Sequence, residues 1–408
     1  MPSRIVPLWL AALFLAVGAL PLSAQRPPAL APVVDSLRPY VEGATGIAFR
    51  ARPHYGWRTE AEIRRYLDRS FERRNRPGHF EAVALAYHLF GLLPDTADFR
   101  RGLSNLYVAQ LRGLYDPDTD TLYCRTGLTA GELREVLTHE LVHALQDQYL
   151  DLAALLEPEM ENDRRFAARA VIEGQATFAT LRLLAGGRNP VSYTGIWNFI
   201  TAALRLGEGQ SAAFKRAPAL LREGLVAPYL FGAQFMSYWQ GTAFADSMPY
   251  GDLMPSSSEQ ILHPERYVAG DRPLELRFRD SAGAVAIEDG LGEFEIHVLA
   301  AQLSAAPLGG SPPALGWGGD RYRVYRGPGG PALVWYVVWD DAPAADEFRA
   351  GTGARLAARR RAGWRGSLER VEVDGRAATR YVWARDAWEG WDALPEVEVA
   401  PNSAPRRR

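Results

Sequence analysis

Residues 139–143 read His-Glu-Leu-Val-His, and this pentapeptide constrains the fold more than any other feature of the chain. On an α-helix, positions i and i+4 lie one turn apart on the same face, so both imidazoles can reach one tetrahedral metal ion. The adjacent glutamate then faces the open coordination position. The pattern predicts a helix that carries His139 and His143 as zinc ligands and Glu140 as general base.

The flanking residues favour a helix at this position. Thr129 and Glu132 have the spacing of a capping box, which marks a helix N-terminus. Apolar residues then recur on one helical face, at Leu133, Val136, Leu137, Leu141 and Ala144. The alternative is an amphipathic helix that merely carries two surface histidines.

Catalytic zinc takes a third protein ligand and leaves a fourth position for water. Glu173 is the best candidate, because it lies in an apolar stretch where a carboxylate is hard to bury without a partner. In the alternative interpretation, Glu173 caps a helix or pairs with Arg169 one turn earlier.

Other acids near the motif are weaker candidates. The acids of the polar connector, residues 157–165, could supply the ligand instead. They are Glu157, Glu159, Glu161 and Asp163. Asp147, one turn beyond His143, could orient an imidazole or could simply lie at the surface.

The chain is long enough for two domains, with 408 residues of which 47% are hydrophobic. We predict an α+β protein in which a mostly helical domain at 46–270 contains a short β-hairpin and precedes a smaller α+β domain at 271–395. Predicted helices cover 59–73, 80–92, 96–112, a segment that begins at Thr129 and carries the motif, 163–184, 292–304 and 344–361, and 190–270 is predicted to be largely helical. Predicted strands cover 46–52, 321–325, 332–339 and two later segments, and 113–124 is predicted to be a hairpin.

The two ends of the chain resemble processing or linking segments. Arg4 precedes an apolar stretch that Pro21 breaks, and Leu22-Ser23-Ala24 form a cleavage site, so 1–24 is predicted to be a signal peptide. An uncleaved membrane anchor is the alternative. Residues 25–45 are predicted to be a linker and 396–408 a disordered tail. We therefore expect an exported protein, periplasmic or extracellular, with no membrane span after cleavage.

Charge and cysteine content exclude some classes of function. The 46 basic and 48 acidic side chains nearly balance, and no basic stripe follows a phosphate backbone, so nucleic acid is not an expected partner. Cys124 is the sole cysteine, so no intrachain disulfide can form.

The motif segments also resemble known proteins. His-Glu-x-x-His followed by a glutamate on a later helix resembles the gluzincins, the zinc peptidases of the thermolysin type. YDPDTDTLY, LTHELVHALQDQYLDL and IEGQATF look more closely like a family of bacterial metallopeptidases known mainly from sequence. The resemblance covers about 110–185, and extends more loosely through 257–267 and 317–325. The gap before Glu173 is longer than in the thermolysin pattern.

The resemblance implies a zincin-like domain that binds one zinc ion through His139, His143 and Glu173, with Glu140 as base. It also implies that His263 or Tyr267 donates a hydrogen bond to the oxyanion, as a downstream His or Tyr does in gluzincins. The hairpin at Gly113 to Cys124 would contain the edge strand that pairs with an extended substrate.

We therefore expect a zinc metallopeptidase that hydrolyses amide bonds in a peptide or protein substrate. Two alternatives remain open. One is a catalytically silent metal-binding envelope protein. The other is a zinc amidase that acts on a non-peptide cell-wall substrate.

Overall fold

The computed structural model describes residues 28–94, 98–155, 160–189, 195, 197, 200–201, 211–279, 284–305, 308 and 314–401. The chain is α+β, as predicted. The predicted signal peptide at 1–24, Glu157 and Glu159 lie outside the described residues.

The helices are concentrated in the first two thirds of the chain. The described helices are α1 (Leu30–Thr45), α2 (Glu60–Arg74), α3 (His79–Phe90), α4 (Phe99–Gln110), α5 (Ala130–Asp147), α6 (Leu152–Leu155), α7 (Asn162–Leu184), α8 (Ala212–Arg216), α9 (Ala219–Trp239), α10 (Ser258–Leu262), α11 (Pro264–Val268), α12 (Gly292–Ser304), α13 (Ala342–Phe348) and α14 (Ala354–Ala357). None of these combines the length and apolarity that crossing a membrane requires.

The described strands form three sheets. They are β1 (His54–Arg58), β2 (Gly113–Asp116), β3 (Thr121–Arg125), β4 (Leu276–Phe278), β5 (Val285–Asp289), β6 (Trp317–Gly327), β7 (Gly330–Trp339), β8 (Trp364–Val373), β9 (Arg376–Arg385) and β10 (Val397–Val399). The first sheet has the order β1-β3-β2, with β1 parallel and β2 antiparallel to β3. The second pairs β4 with β10, and the third is antiparallel with the order β5-β6-β7-β9-β8.

The predicted N-terminal linker at 25–45 is wrong over most of its length. Helix α1 begins at Leu30 and continues to Thr45, and it buries Leu30, Val34, Leu37 and Val41. These residues have helical spacing, so burial of one apolar face outweighs the proline-rich start. The strand predicted at 46–52 is also wrong, because the strand is β1, which begins at His54.

Two long helices form the centre of the helical part. Helices α7 and α9 cross closely at Gly174 and Gly232: a Cβ added to Gly174 would lie 2.2 Å from the backbone carbon of Gly232. A Cβ added to Gly232 would lie 1.9 Å from the carbonyl oxygen of Ala170. Such distances are far below van der Waals contact, so the crossing requires glycine on both helices.

The five-stranded sheet buries the tryptophans of β6 and β7. Trp317, Trp335 and Trp339 are buried and belong to the core. The glycine-rich segment between β6 and β7 is a turn. The tail prediction is wrong at its start, because Val397–Val399 form β10 and pair with β4 within the range 396–408.

Candidate metal centre

Helix α5 carries the histidine motif, and its N-terminus is fixed by a capping box. The Thr129 side chain accepts a hydrogen bond from the Glu132 backbone N–H, and the Glu132 carboxylate accepts one from the Thr129 N–H, so the predicted capping box is confirmed. His139, Glu140 and His143 are all buried. The helix therefore places the motif in the interior.

Strand β2 packs directly on the glutamate of the motif. A Cβ added to Gly113 would lie 2.5 Å from Cγ1 of Val136 and 3.0 Å from Oε1 of Glu140. Only glycine allows the strand to approach helix α5 this closely. The hairpin thus contributes one wall around Glu140.

Glu173 reaches the motif from the middle of helix α7. Its Oε2 lies 3.2 Å from Nε2 of His139 and 3.4 Å from Nε2 of His143. The three ligand atoms lie within 4.8 Å of one another. The structure therefore brings together the three side chains that the sequence indicated as metal ligands.

The charge states suit a cation. Burial lowers the pKa of His139 to about 4, so its imidazole is neutral at pH 7. Burial alone would raise the pKa of Glu173, but its contacts with the two imidazoles outweigh that effect and lower the pKa to about 2. A neutral imidazole and a carboxylate are the forms in which these groups bind metal.

Gln146 fixes the orientation of His143. The Gln146 amide nitrogen donates to the carbonyl oxygen of Ile172 at 3.0 Å and to Oε1 of Gln175 at 2.8 Å. Its Oε1 therefore faces Nδ1 of His143 at 2.9 Å and accepts a hydrogen bond from it. The proton on Nδ1 leaves a lone pair on Nε2, which points toward Glu173.

These contacts fit a metal ion. Nε2 of His143 is buried and has no hydrogen-bond partner among the described residues. A lone pair 3.4 Å from a carboxylate oxygen is unfavourable in a buried site unless a cation lies between them. Two imidazoles and one carboxylate are also the donor set of a catalytic zinc site.

Tyr229, on helix α9, also contacts this centre and was not anticipated. Its ring stacks on His139 with centroids 5.9 Å apart and planes at 20°. Burial raises its pKa well above the ordinary value, and the negative charge of Glu173, with which it hydrogen-bonds, adds to this effect. Its position depends on a helix crossing remote in sequence, so no local pattern could reveal it.

The other candidate partners named from the sequence have additional contacts. Arg169 donates to the carbonyl oxygen of Gly224 at 3.3 Å, and it also hydrogen-bonds with Tyr229 and interacts with the charge of Glu173. Asp147 accepts hydrogen bonds from Tyr115 and from the Leu152 backbone, and burial raises its pKa to about 6. The residue that orients His143 is Gln146, one position before Asp147.

Among the connector acids, Glu161 lies 3.5 Å from Arg321. Asp163 accepts a hydrogen bond from the Ser258 backbone at 2.9 Å. Neither acid belongs to the group formed by His139, His143 and Glu173.

The predicted substrate-pairing strand is covered. Strand β2 lies at the edge of its sheet, yet all four of its residues are buried. An extended chain can pair with this edge only after the covering segments move away. A cavity of about 180 Å³ lies elsewhere and is lined by aromatic residues that include Phe71, Phe80 and Phe166.

Comparison with known proteins gives one match, in the C-terminal part. Residues 280–392 match the model of a domain of unknown function, DUF8575. No curated protein and no solved structure matches the chain. The DUF8575 region includes helix α12 and the five-stranded sheet, and the candidate metal centre on α5 and α7 lies outside it.

The two predicted oxyanion donors have other contacts. The hydroxyl of Tyr267 donates to the carbonyl oxygen of Leu253 at 2.8 Å. His263 lies 3.1 Å from Glu293, in a second group that also contains His297. Glu293 and His297 belong to the DUF8575 region, and their one-turn spacing is visible in the sequence, whereas the contribution of His263 is not.

Proposed function

We propose that the protein is an exported zinc-dependent hydrolase with a zincin-like site, and that its substrates are the amide bonds of peptides or proteins. The observation that carries this proposal is the convergence of His139, His143 and Glu173 within 4.8 Å beside Glu140. Export rests on the predicted signal peptide.

The residues divide the chemistry between them. His139, His143 and Glu173 would hold zinc, which when bound lowers the pKa of water to about 7 and polarises a carbonyl group. The Glu140 carboxylate accepts a proton from the attacking water and passes it to the leaving nitrogen of the scissile amide. Gln146 orients His143, and Tyr229 orients Glu173.

Glu140 is the residue that favours an enzyme over a structural metal site. A structural site has no use for a carboxylate that follows a ligand on the same helix and is not itself a ligand. Gly113 leaves room for this carboxylate beneath the hairpin.

The second candidate is a catalytically silent metal-binding envelope protein. It is supported by the burial of His139, Glu140, His143 and Glu173, together with that of the edge strand β2.

An amidase acting on a cell-wall component uses the same water chemistry, and differs only in substrate.

The test compares wild type with Glu140→Gln. Both proteins are loaded with zinc, and metal content is measured alongside hydrolysis of an unstructured protein and of cell-wall material. We expect one equivalent of zinc at this centre in both proteins and loss of cleavage by at least about 100-fold in the variant. The matched control is Glu135→Gln on the same helix, outside the ligand group, which should cleave like wild type.

Equal cleavage by wild type and Glu140→Gln would overturn the proposed mechanism. Zinc binding without cleavage of either substrate class would favour the silent protein. Cleavage of cell-wall material alone would identify the amidase.

A further inference from the structure

A second buried group with the same donor set lies at the junction of the helical part and the DUF8575 region. Glu293 and His297 are one turn apart on helix α12, and His263 comes from the junction of α10 and α11. The ligand atoms of these three residues lie within 4.8 Å of one another. Nε2 of His263 is 3.1 Å from Oε2 of Glu293, and Nε2 of His297 is 3.8 Å from Oε1.

The group is enclosed, and two of its polar atoms have no hydrogen bond. His263 is 6% exposed and Glu293 is 0% exposed. Nε2 of His263 and Oε2 of Glu293 are buried, and neither has a hydrogen-bond partner among the described residues, although they face each other at 3.1 Å. An isolated buried carboxylate oxygen is costly, because nothing replaces the water it has lost.

The other oxygen of Glu293 is already satisfied. Oε1 accepts a hydrogen bond from the Leu315 backbone N–H at 2.7 Å. This contact fixes the carboxylate so that Oε2 points at the imidazole of His263. Ligands held in this way by a neighbouring hydrogen bond are typical of metal sites in proteins.

The surrounding charges also favour a cation. Glu259, on helix α10, is also buried and lies close enough to Glu293 for the two carboxyl groups to interact. Arg266 is the basic residue that contacts Glu259, at 2.6 Å, but it is shared with Asp271 and Asp340. The acids of this region therefore outnumber the base that contacts them.

We propose that His263, Glu293 and His297 form a second metal site, which binds a divalent first-row transition ion such as zinc. Two imidazole nitrogens and one carboxylate oxygen suit zinc and exclude the harder calcium and magnesium ions, which prefer all-oxygen sites. The site links the α10–α11 junction to helix α12, and so ties the helical part to the DUF8575 region. His263 then serves as a ligand, and not as the oxyanion donor that the gluzincin resemblance implies.

A salt bridge is the competing explanation. A protonated His263 beside an ionised Glu293 would balance the charges without a metal ion. The positive N-terminal end of α12 would also stabilise the ionised form of Glu293. That arrangement requires a hydrogen bond between the two groups, and the present geometry lacks one.

Metal stoichiometry distinguishes these explanations. Purified wild type, His139→Gln/His143→Gln and His263→Gln/His297→Gln are loaded with zinc, freed of excess metal and analysed by mass spectrometry. We expect two equivalents in wild type and one in each double variant. The control His54→Gln changes an exposed histidine outside both groups and should retain two.

The variant His139→Gln/His143→Gln leaves the second group intact, so the test survives if changes at His263 prevent folding. X-ray absorption on this variant should show nitrogen and oxygen ligands at about 2.0–2.2 Å, and chelation should lower its Tm. If wild type binds one equivalent and this variant binds none, the second site is overturned and the proposed function stands. If wild type binds one equivalent and this variant also binds one, the second site is supported and the zinc centre of the proposed function is overturned.

Discussion

The side-chain oxygen of Gln146 accepts a hydrogen bond from Nδ1 of His143 at 2.9 Å, and this contact determines which imidazole nitrogen is available to a metal. Replacing Gln146 with alanine removes the acceptor and frees the ring to rotate or change tautomer. We expect zinc affinity to fall by about 10- to 100-fold. Competition with a chelator measures it, and Gln240→Ala, at an exposed position of the chain, should bind like wild type.

Tyr229→Phe tests how Glu173 is held. The substitution keeps the ring that stacks on His139 but removes the hydroxyl that hydrogen-bonds with Glu173. We expect weaker zinc binding, again by about 10- to 100-fold, with little loss of folding stability. Tyr238→Phe, a partly exposed tyrosine of the same helix, is the control. Equal affinity in the two variants would remove Tyr229 from the metal centre.

Gly232→Ala tests the crossing of α7 and α9. The added methyl group would lie 1.9 Å from the carbonyl oxygen of Ala170, so the helices must separate. We expect a loss of about 1–3 kcal/mol in the free energy of unfolding, measured by chemical denaturation. Gly224→Ala on the same helix meets no atom within 4 Å and should instead stabilise, by about 0.5–1 kcal/mol. Similar effects at the two positions would contradict the close crossing.

Asp320→Asn should destabilise the joint between α12 and the sheet. The carboxylate accepts hydrogen bonds from the backbone of Leu291 and Gly292 and from the indoles of Trp317 and Trp335. An amide nitrogen would face two of these donors, at a cost of about 1–3 kcal/mol for each one left unpaired. Denaturation should detect this loss, whereas Asp386→Asn, at an exposed position, should unfold like wild type.

Asp163 should make the stability of the fold depend on pH. Burial raises its pKa well above the ordinary 3.8, and the nearby Glu161 and Asp320 add to the effect. The folded state therefore holds a proton that the unfolded state has lost, so stability falls as pH rises from about 4 toward the folded-state pKa, by at most about 1.4 kcal/mol per pH unit.

Asp163→Asn removes this titration. Its stability relative to wild type should increase from pH 4 to pH 8, when unfolding is measured across that range. Asp252→Asn, at an exposed position, should follow wild type. A constant difference between Asp163→Asn and wild type would contradict the raised pKa.

Local sequence signals predicted the elements that local interactions define. The capping box at Thr129, the hairpin and the long helix that carries Glu173 were found because cap, turn and periodicity operate over a few residues. Contacts between remote segments were not found. The strand predicted at 46–52 begins too early, because the position of β1 is set by parallel pairing with β3, more than sixty residues later. Tyr229 and His263 reach their groups only through helix packing.

The prediction of a linker at 25–45 fails for a different reason, because helix α1 lies there. Its apolar residues from Leu30 to Val41 have helical spacing, but the prolines before them favoured the interpretation as a linker. The buried face shows that periodicity was the stronger signal there.

Cys124, the sole cysteine, pairs with Gly113 across the hairpin and is fully buried. Burial raises the pKa of its thiol, and the nearby Glu140 raises it further, so the thiol stays protonated and out of reach while the hairpin covers helix α5. A thiol-specific reagent can therefore modify the native protein only when the hairpin opens. The same opening would uncover Glu140 and the β2 edge, so under the proposed function the rate of labelling would measure how often the site opens to a substrate.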